Sequence, residues 1–90
     1  MSDATWRVVV MPPARRQFNR LPLSVAAAVA ETLEAIADNP KRLGKRLALE
    51  HEGRWSARRG PYRIIYELDE GKRVVRLIAI GHRRHVYRRH

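Results

Sequence analysis

Gly53-Arg54-Trp55-Ser56-Ala57-Arg58-Arg59-Gly60-Pro61-Tyr62-Arg63-Ile64-Ile65-Tyr66 carries two short strand-like runs hinged at Gly60-Pro61. Side chains alternate between faces along an extended strand. The first run therefore sends Arg54, Ser56 and Arg58 to one face, and Trp55 and Ala57 to the other. In the second run Tyr62, Ile64, Tyr66 and Leu68 share a face, while Arg63 shares the opposite one with Ile65 and Glu67. Each run can bury an apolar side and still present arginine on its other side. A guanidinium is planar, permanently charged and forked, which suits phosphate oxygens. Standing alone, such arginines describe a solvated face. The rest of the chain turns them into a candidate platform for a nucleic-acid backbone.

Downstream, Asp69-Glu70-Gly71-Lys72 is expected to turn, with Gly71 in the left-handed position. Residues 73–80 read as a strand that is apolar on both faces over much of its length, hence an interior strand. The tail Gly81-His82-Arg83-Arg84-His85-Val86-Tyr87-Arg88-Arg89-His90 follows at once, and Val86-Tyr87 gives it an apolar anchor, so an ordered tail is expected.

Upstream, residues 6–11 are β-branched and aromatic, and Pro12-Pro13 stops them. Pro13 is expected to open a short helix with Ala14, Phe18 and Leu21 on one face. Leu21-Pro22 breaks it, and residues 23–38 form a second helix with Val25, Val29, Leu33 and Ile36 at helical spacing. Asn39-Pro40 ends that helix. Residues 41–53 are the least regular part. Leu43, Leu47 and Leu49 are expected to anchor them to the core while Lys41, Arg42, Lys45 and Arg46 stay in water. The order β-α-α-β-β-β predicts a small α+β fold over residues 1–90, a single domain whose antiparallel-rich sheet carries a helical hairpin on one face.

The charge is lopsided. Lys and Arg total 19 against nine Asp and Glu, a net +10. Four arginines balance four acids in residues 1–40, whereas fifteen basic against five acidic residues give residues 41–90 the whole excess. Such asymmetry points to a polyanionic partner. No apolar run approaches the ~20 residues of a membrane span. The first residues lack the pattern of a signal peptide. Cysteine is absent, which leaves no disulfide framework or thiolate site. The expected location is the cytoplasm, with no membrane partner. The histidines lack a carboxylate or cysteine at ligand spacing, so neither metal nor cofactor is expected.

These residues resemble the RelE-type toxins of the RelE/ParE superfamily of bacterial toxin–antitoxin modules. The likeness covers nearly the whole chain: a strand, a helical hairpin ending Asn39-Pro40, Gly44-Lys45-Arg46-Leu47, the stretch 53–66 and the tail from Gly81 to Arg88. The Gly-x-Tyr-Arg-x-x-Tyr segment is shared with ParE relatives, and the tail arginine and Val-Tyr-Arg point to the RelE branch.

That branch implies a ribosome-dependent endoribonuclease that cuts mRNA in the A site. The RNA 2′-OH attacks the adjacent phosphate and the 5′-oxygen leaves, without a metal. The reaction needs a base, cations for the extra charge on phosphorus, and an acid. By resemblance Arg63 holds the scissile phosphate, Arg83 stabilises the transition state and Tyr87 is the general base. Arg54 stands where the family has a catalytic lysine, and Ser56 stands where it has a second one. Arg58 is a substitute on the same face. Lys45, Arg46, Arg58, His82, Arg84 and His85 are the candidate RNA contacts. His82 and His85 titrate in the right range to share the proton transfer, His85 beside Tyr87 being the better placed, or else only bind phosphate. A cognate antitoxin protein is the implied partner, besides the ribosome and its message. Two other functions fit the fold: a ParE-like inhibitor of DNA gyrase, and a non-catalytic RNA-binding or degenerate toxin.

Overall fold

A computed structural model describes residues 5–47, 53–82 and 84. Its elements are β1 (Arg7–Val10), α1 (Pro12–Asn19), α2 (Leu23–Asp38), α3 (Pro40–Leu43), β2 (Lys45–Arg46), β3 (Arg54–Arg59), β4 (Tyr62–Asp69) and β5 (Val74–His82). The strands form one sheet in the order β1-β5-β4-β3-β2. β2, β3, β4 and β5 are antiparallel in turn, and β1 lies parallel to β5 on the far edge. The α+β expectation holds, with the sheet mixed and five-stranded.

The core lies between the helices and one face of this sheet. Ala14, Val29 and Ile36 meet Ala57, Ile64, Tyr66, Val75, Leu77 and Ile80 there, all buried. The α2 stripe was legible from its spacing, and the helix begins and ends where Pro22 and Asn39 put it. Two hydrogen bonds join the layers, one just before β1 and one on β5 beyond the end of β1. The Trp6 amide donates to the Ala37 carbonyl at 2.8 Å, and the Ile80 amide donates to Gln17 Oε1 at 2.7 Å.

Several expectations need correction. The irregular stretch after Asn39 holds a helical turn, α3, opened by Pro40 rather than merely stopped by it. It continues into the two-residue β2, an edge strand paired with β3. Leu43 is largely exposed and does not anchor the stretch; Leu47 does, packing against buried Ile65 and Ala79 on the other face of the sheet. Leu49 lies outside the described residues. The left-handed residue of the β4–β5 turn is Arg73, with φ 54°, not Gly71. The Arg73 guanidinium lies 5.3 Å from the Trp6 ring centre, a cation–π contact that helps offset the strain. The helix that was expected to open at Pro13 starts at Pro12.

β5 also breaks simple alternation. Ile65 pairs with Ala79 and Tyr66 with Leu77, which leaves Ile78 as an extra residue. This bulge keeps Val75, Leu77 and Ile80 on the helix side, and sends Ile78 and Ala79 to the opposite face.

α3 is held by Tyr66. The fully buried phenol donates to the Pro40 carbonyl at 2.6 Å. Its hydroxyl also fills the space where a side chain on Gly44 would begin, so only glycine fits there. Burial pushes the Tyr66 pKa up from 10.0 to about 12. An unfolded tyrosine therefore loses its proton before the folded one does. The stability that Tyr66 contributes is complete below pH 10 and is lost as pH rises towards about 12. Urea unfolding at stepped pH should show stability falling by about 1.4 kcal/mol per pH unit across that window. Tyr66→Phe should remove this component of the slope and cost about 1 kcal/mol or more at neutral pH, since the Pro40 carbonyl loses its donor.

Candidate nucleic-acid interface

The hairpin of β3 and β4 positions the candidate arginines. Gly60 has φ 56° and Pro61 follows it, the combination of a type II′ turn with glycine first. Arg59 then pairs with Tyr62, Arg58 with Arg63, Ser56 with Ile65 and Arg54 with Glu67. Directly opposite residues share a face, so cross-strand rows form on the side away from the helices.

The first row is Arg58, Arg63 and Gly81. Glycine adds no side chain beside Arg63. The second is Lys45, Ser56, Ile65 and Ala79, where Ile65 and Ala79 are buried. The third is Arg54, Glu67, Arg76 and Val9.

The rows differ in electrostatics. In the third, Arg54 Nε donates to Glu67 Oε2 at 3.2 Å. Arg76 approaches Glu67 and Asp69, each at 3.8 Å, so carboxylates and guanidinia alternate. Arg59, on the helix side, is also engaged, with Glu31 at 2.9 Å and Thr32 Oγ1 at 3.2 Å. In the first row, Arg58 and Arg63 have no ion-pair partner among the described residues. Arg63 Nη1 is buried and, among those residues, has no hydrogen-bond partner. A buried donor without an acceptor is costly. Arg63 and Arg58 line a hollow of ≈ 510 Å³ with Lys45, Arg46, Ser56 and Leu47. Cations dominate it, and it suits an anion.

The structure thus brings Arg58, Arg63 and Lys45 together on one face, borders their hollow with Arg46, whose pairing with Trp55 puts it on the other face, and sets Arg54 apart, bound to Glu67 beyond the apolar row. His82 pairs with Tyr62, on the side of the sheet that carries Ile64 and Ile80, not on the Arg63 face. Its ring meets the Tyr62 ring edge-on at 5.8 Å. The Arg84 amide donates to His82 Nδ1 at 3.2 Å, which places the ring proton of the neutral form on Nε2. Arg84 itself is exposed. Arg83, His85 and Tyr87 lie outside the described residues. Two features of the site escaped the sequence reading, the Glu67 clamp on Arg54 and the isolation of the Arg58–Arg63 row. A two-residue loop at Gly60-Pro61 would have revealed both, because it fixes which residues face one another.

Among the described residues no group of three or more histidines and carboxylates is arranged to hold a metal, and no helix is long and apolar enough to cross a membrane.

A family model for the ParE toxin of the type II toxin–antitoxin system parDE matches residues 8–87. The Toxin RelE of Mycobacterium tuberculosis is 41% identical over 87 residues, spanning 96% of this chain and 90% of that protein. The Toxin RelG of the same organism is 40% identical over 77 residues, spanning 84% and 88%. Among solved structures, a chain of the M. tuberculosis toxin–antitoxin complex RelBE2 superposes with a TM-score of 0.84 at 34% identity, covering 89% of this chain and 93% of that one. The isolated E. coli RelE toxin shares the fold, with a TM-score of 0.74 at 18% identity over 86% and 83% of the two chains.

Arg63 is a burden to the free protein if its partner is external. Arg63→Met keeps the length and removes the unpaired donor. It should raise stability by about 1 kcal/mol, which for a chain of this size moves the thermal midpoint up by about 4–8 °C. A midpoint lowered by as much would mean that Arg63 stabilises the fold.

Proposed function

The chain belongs to the RelE/ParE superfamily of toxins of type II toxin–antitoxin systems, and from that premise we propose that it is a ribosome-dependent mRNA endoribonuclease that stops translation. The observation that carries this reading is the buried Nη1 of Arg63, without a hydrogen-bond partner among the described residues, at the wall of a cationic hollow. A phosphodiester would supply the missing acceptor.

In the proposed reaction the 2′-oxygen forms a bond to phosphorus, the bond to the 5′-oxygen breaks, and a 2′,3′-cyclic phosphate and a 5′-hydroxyl result. Arg63 neutralises the non-bridging oxygens as charge builds on them. Tyr87 and Arg83, assigned by resemblance, take the 2′-proton and stabilise the transition state. Free tyrosine, near ~10, is a weak base at neutral pH, and cations close to a phenol favour its ionised form. Lys45 and Arg46, exposed on the edge strand, contribute phosphate contacts at the rim.

A toxin of this class is expected to be neutralised by a cognate antitoxin in the cytoplasm. RelBE2 of M. tuberculosis is a toxin–antitoxin complex, as is RelBE of E. coli. The net charge of +10 favours an antitoxin with an acidic segment. A second reading, inhibition of DNA gyrase, is favoured by the ParE description of the matching family model. It gives the Arg63 hollow no task.

Mapping of 5′ ends on a translated message after induction separates the two. The nuclease reading expects codon-phased cuts that vanish when translation is blocked, and an Arg63→Ala variant slowed on the order of 10²–10³-fold. DNA-damage signalling without cuts would favour gyrase and overturn the nuclease.

A further inference from the structure

We propose that Arg58 is a catalytic residue that closes, with Arg63, a two-guanidinium clamp on the reacting RNA phosphate. The inference rests on the nuclease reading, and it moves the second cation of the site from Arg54 to Arg58.

Arg58 and Arg63 face each other directly across the hairpin. Like charges at that position repel, with Cβ atoms about 5 Å apart. No described carboxylate relieves them. An anion held between them turns the repulsion into two attractive contacts. The other arginines of β3 and β4 or their neighbours are engaged: Arg54 with Glu67, Arg59 with Glu31, Arg76 with Glu67 and Asp69. Among the described residues, Arg58 and Arg63 are the arginines of β3 and β4 without an ion-pair partner, and both line the hollow.

Position along the strand agrees. Arg54 is four residues from Arg58, about 13 Å at ~3.3 Å per residue, and the Ser56–Ile65–Ala79 row lies between. Ser56 is neutral and offers the phosphate no charge, whereas Arg58, the next residue on that face, is a long forked donor. As the 2′-oxygen bonds to phosphorus and the 5′-oxygen departs, charge develops on two non-bridging oxygens. Arg63 takes one and Arg58 the other. The clamp moves no proton: the 2′-proton goes to Tyr87, the base assigned by resemblance, and the leaving 5′-oxygen takes one from solvent water.

The test uses the purified protein with inorganic phosphate as a probe, then ribosome-bound message. Arg58 is exposed, so Arg58→Ala should fold. Phosphate should raise the thermal midpoint of the wild type and of Arg54→Ala, and the rise should be lost in Arg58→Ala and Arg63→Ala. In single-turnover cleavage, Arg58→Ala should be slower by about 10²-fold, a larger loss than for Arg54→Ala. Arg58→Lys should recover part of the rate, because a point charge replaces the fork. A phosphate shift that survives Arg58→Ala, or a greater loss of rate in Arg54→Ala, overturns the proposal. A wild type that cuts no message while its phosphate shift still depends on Arg58 overturns the nuclease reading and the catalytic role, and leaves the clamp standing as an anion site.

Discussion

At Gly60 the backbone takes a φ of 56° that a side chain would resist, and Pro61 after it can take only a negative φ. This turn sets the β3–β4 register, and the site follows from the register. A slip of one residue would exchange the two faces of a strand. Arg63 would then point at the helices, and Ile64 and Tyr66 would leave the core. The apolar residues guard against such a slip, since burying Tyr66 and Ile64 under α2 leaves Arg63 nowhere else to go. The same constraint fixes α3, because the Tyr66 hydroxyl meets the Pro40 carbonyl only in this register.

The ion pairs do little for stability. Those between Lys41 and Glu70 and between Arg59 and Glu31 are well exposed, and such pairs are worth about 0–1 kcal/mol. Their effect is positional. Lys41 ties the α3 turn to the β4–β5 turn, and Arg59 ties β3 to α2 through Glu31 and Thr32. Glu67 gathers Arg54 and Arg76 at one end of the outer face. With those cations neutralised, the positive charge of this face is concentrated towards the other end, around Arg58, Arg63 and Lys45. A strongly basic chain thus acquires a directed patch rather than a diffuse charge.

Much of the fold could be read from local pattern. Proline and asparagine mark the ends of α2, β-branched runs mark the strands, and alternation across residues 54–68 correctly sorted core from outer face. What could not be read depends on contacts distant in sequence. The bulge at Ile78 exists because β5 must serve both the helix-side core and the Ile65–Ala79 cluster, and apolar residues at 77–80 look alike in either register. Arg73, rather than Gly71, takes the positive φ, where Trp6, just before β1, offers its ring. Leu43 resembles a core residue by composition, yet α3 is anchored by Pro40 and Gly44 against Tyr66, which leaves Leu43 outward. For the site, residue type identified the arginines, but only pairing showed which of them are already satisfied.

That difference is the strongest physical argument about function. A buried, unpaired guanidinium nitrogen is a local conflict, and an apolar side chain of similar size would serve the free fold better. Arg63 stands opposite Arg58, which also has no ion-pair partner among the described residues, and this deepens the conflict. Elsewhere the chain resolves such problems: Thr32 bonds to the Ala28 carbonyl and accepts from Arg59, and the Ile80 amide finds Gln17. Among the described residues, buried groups on the helix side are satisfied and this one on the outer face is open, which suits a partner from outside the fold. The partner must be anionic, small enough to enter between Arg58 and Arg63, and rich in acceptors. A phosphodiester meets all three conditions. A protein carboxylate meets them less fully, with two oxygens in one plane where a phosphate offers non-bridging oxygens to two guanidinia approaching from neighbouring strands.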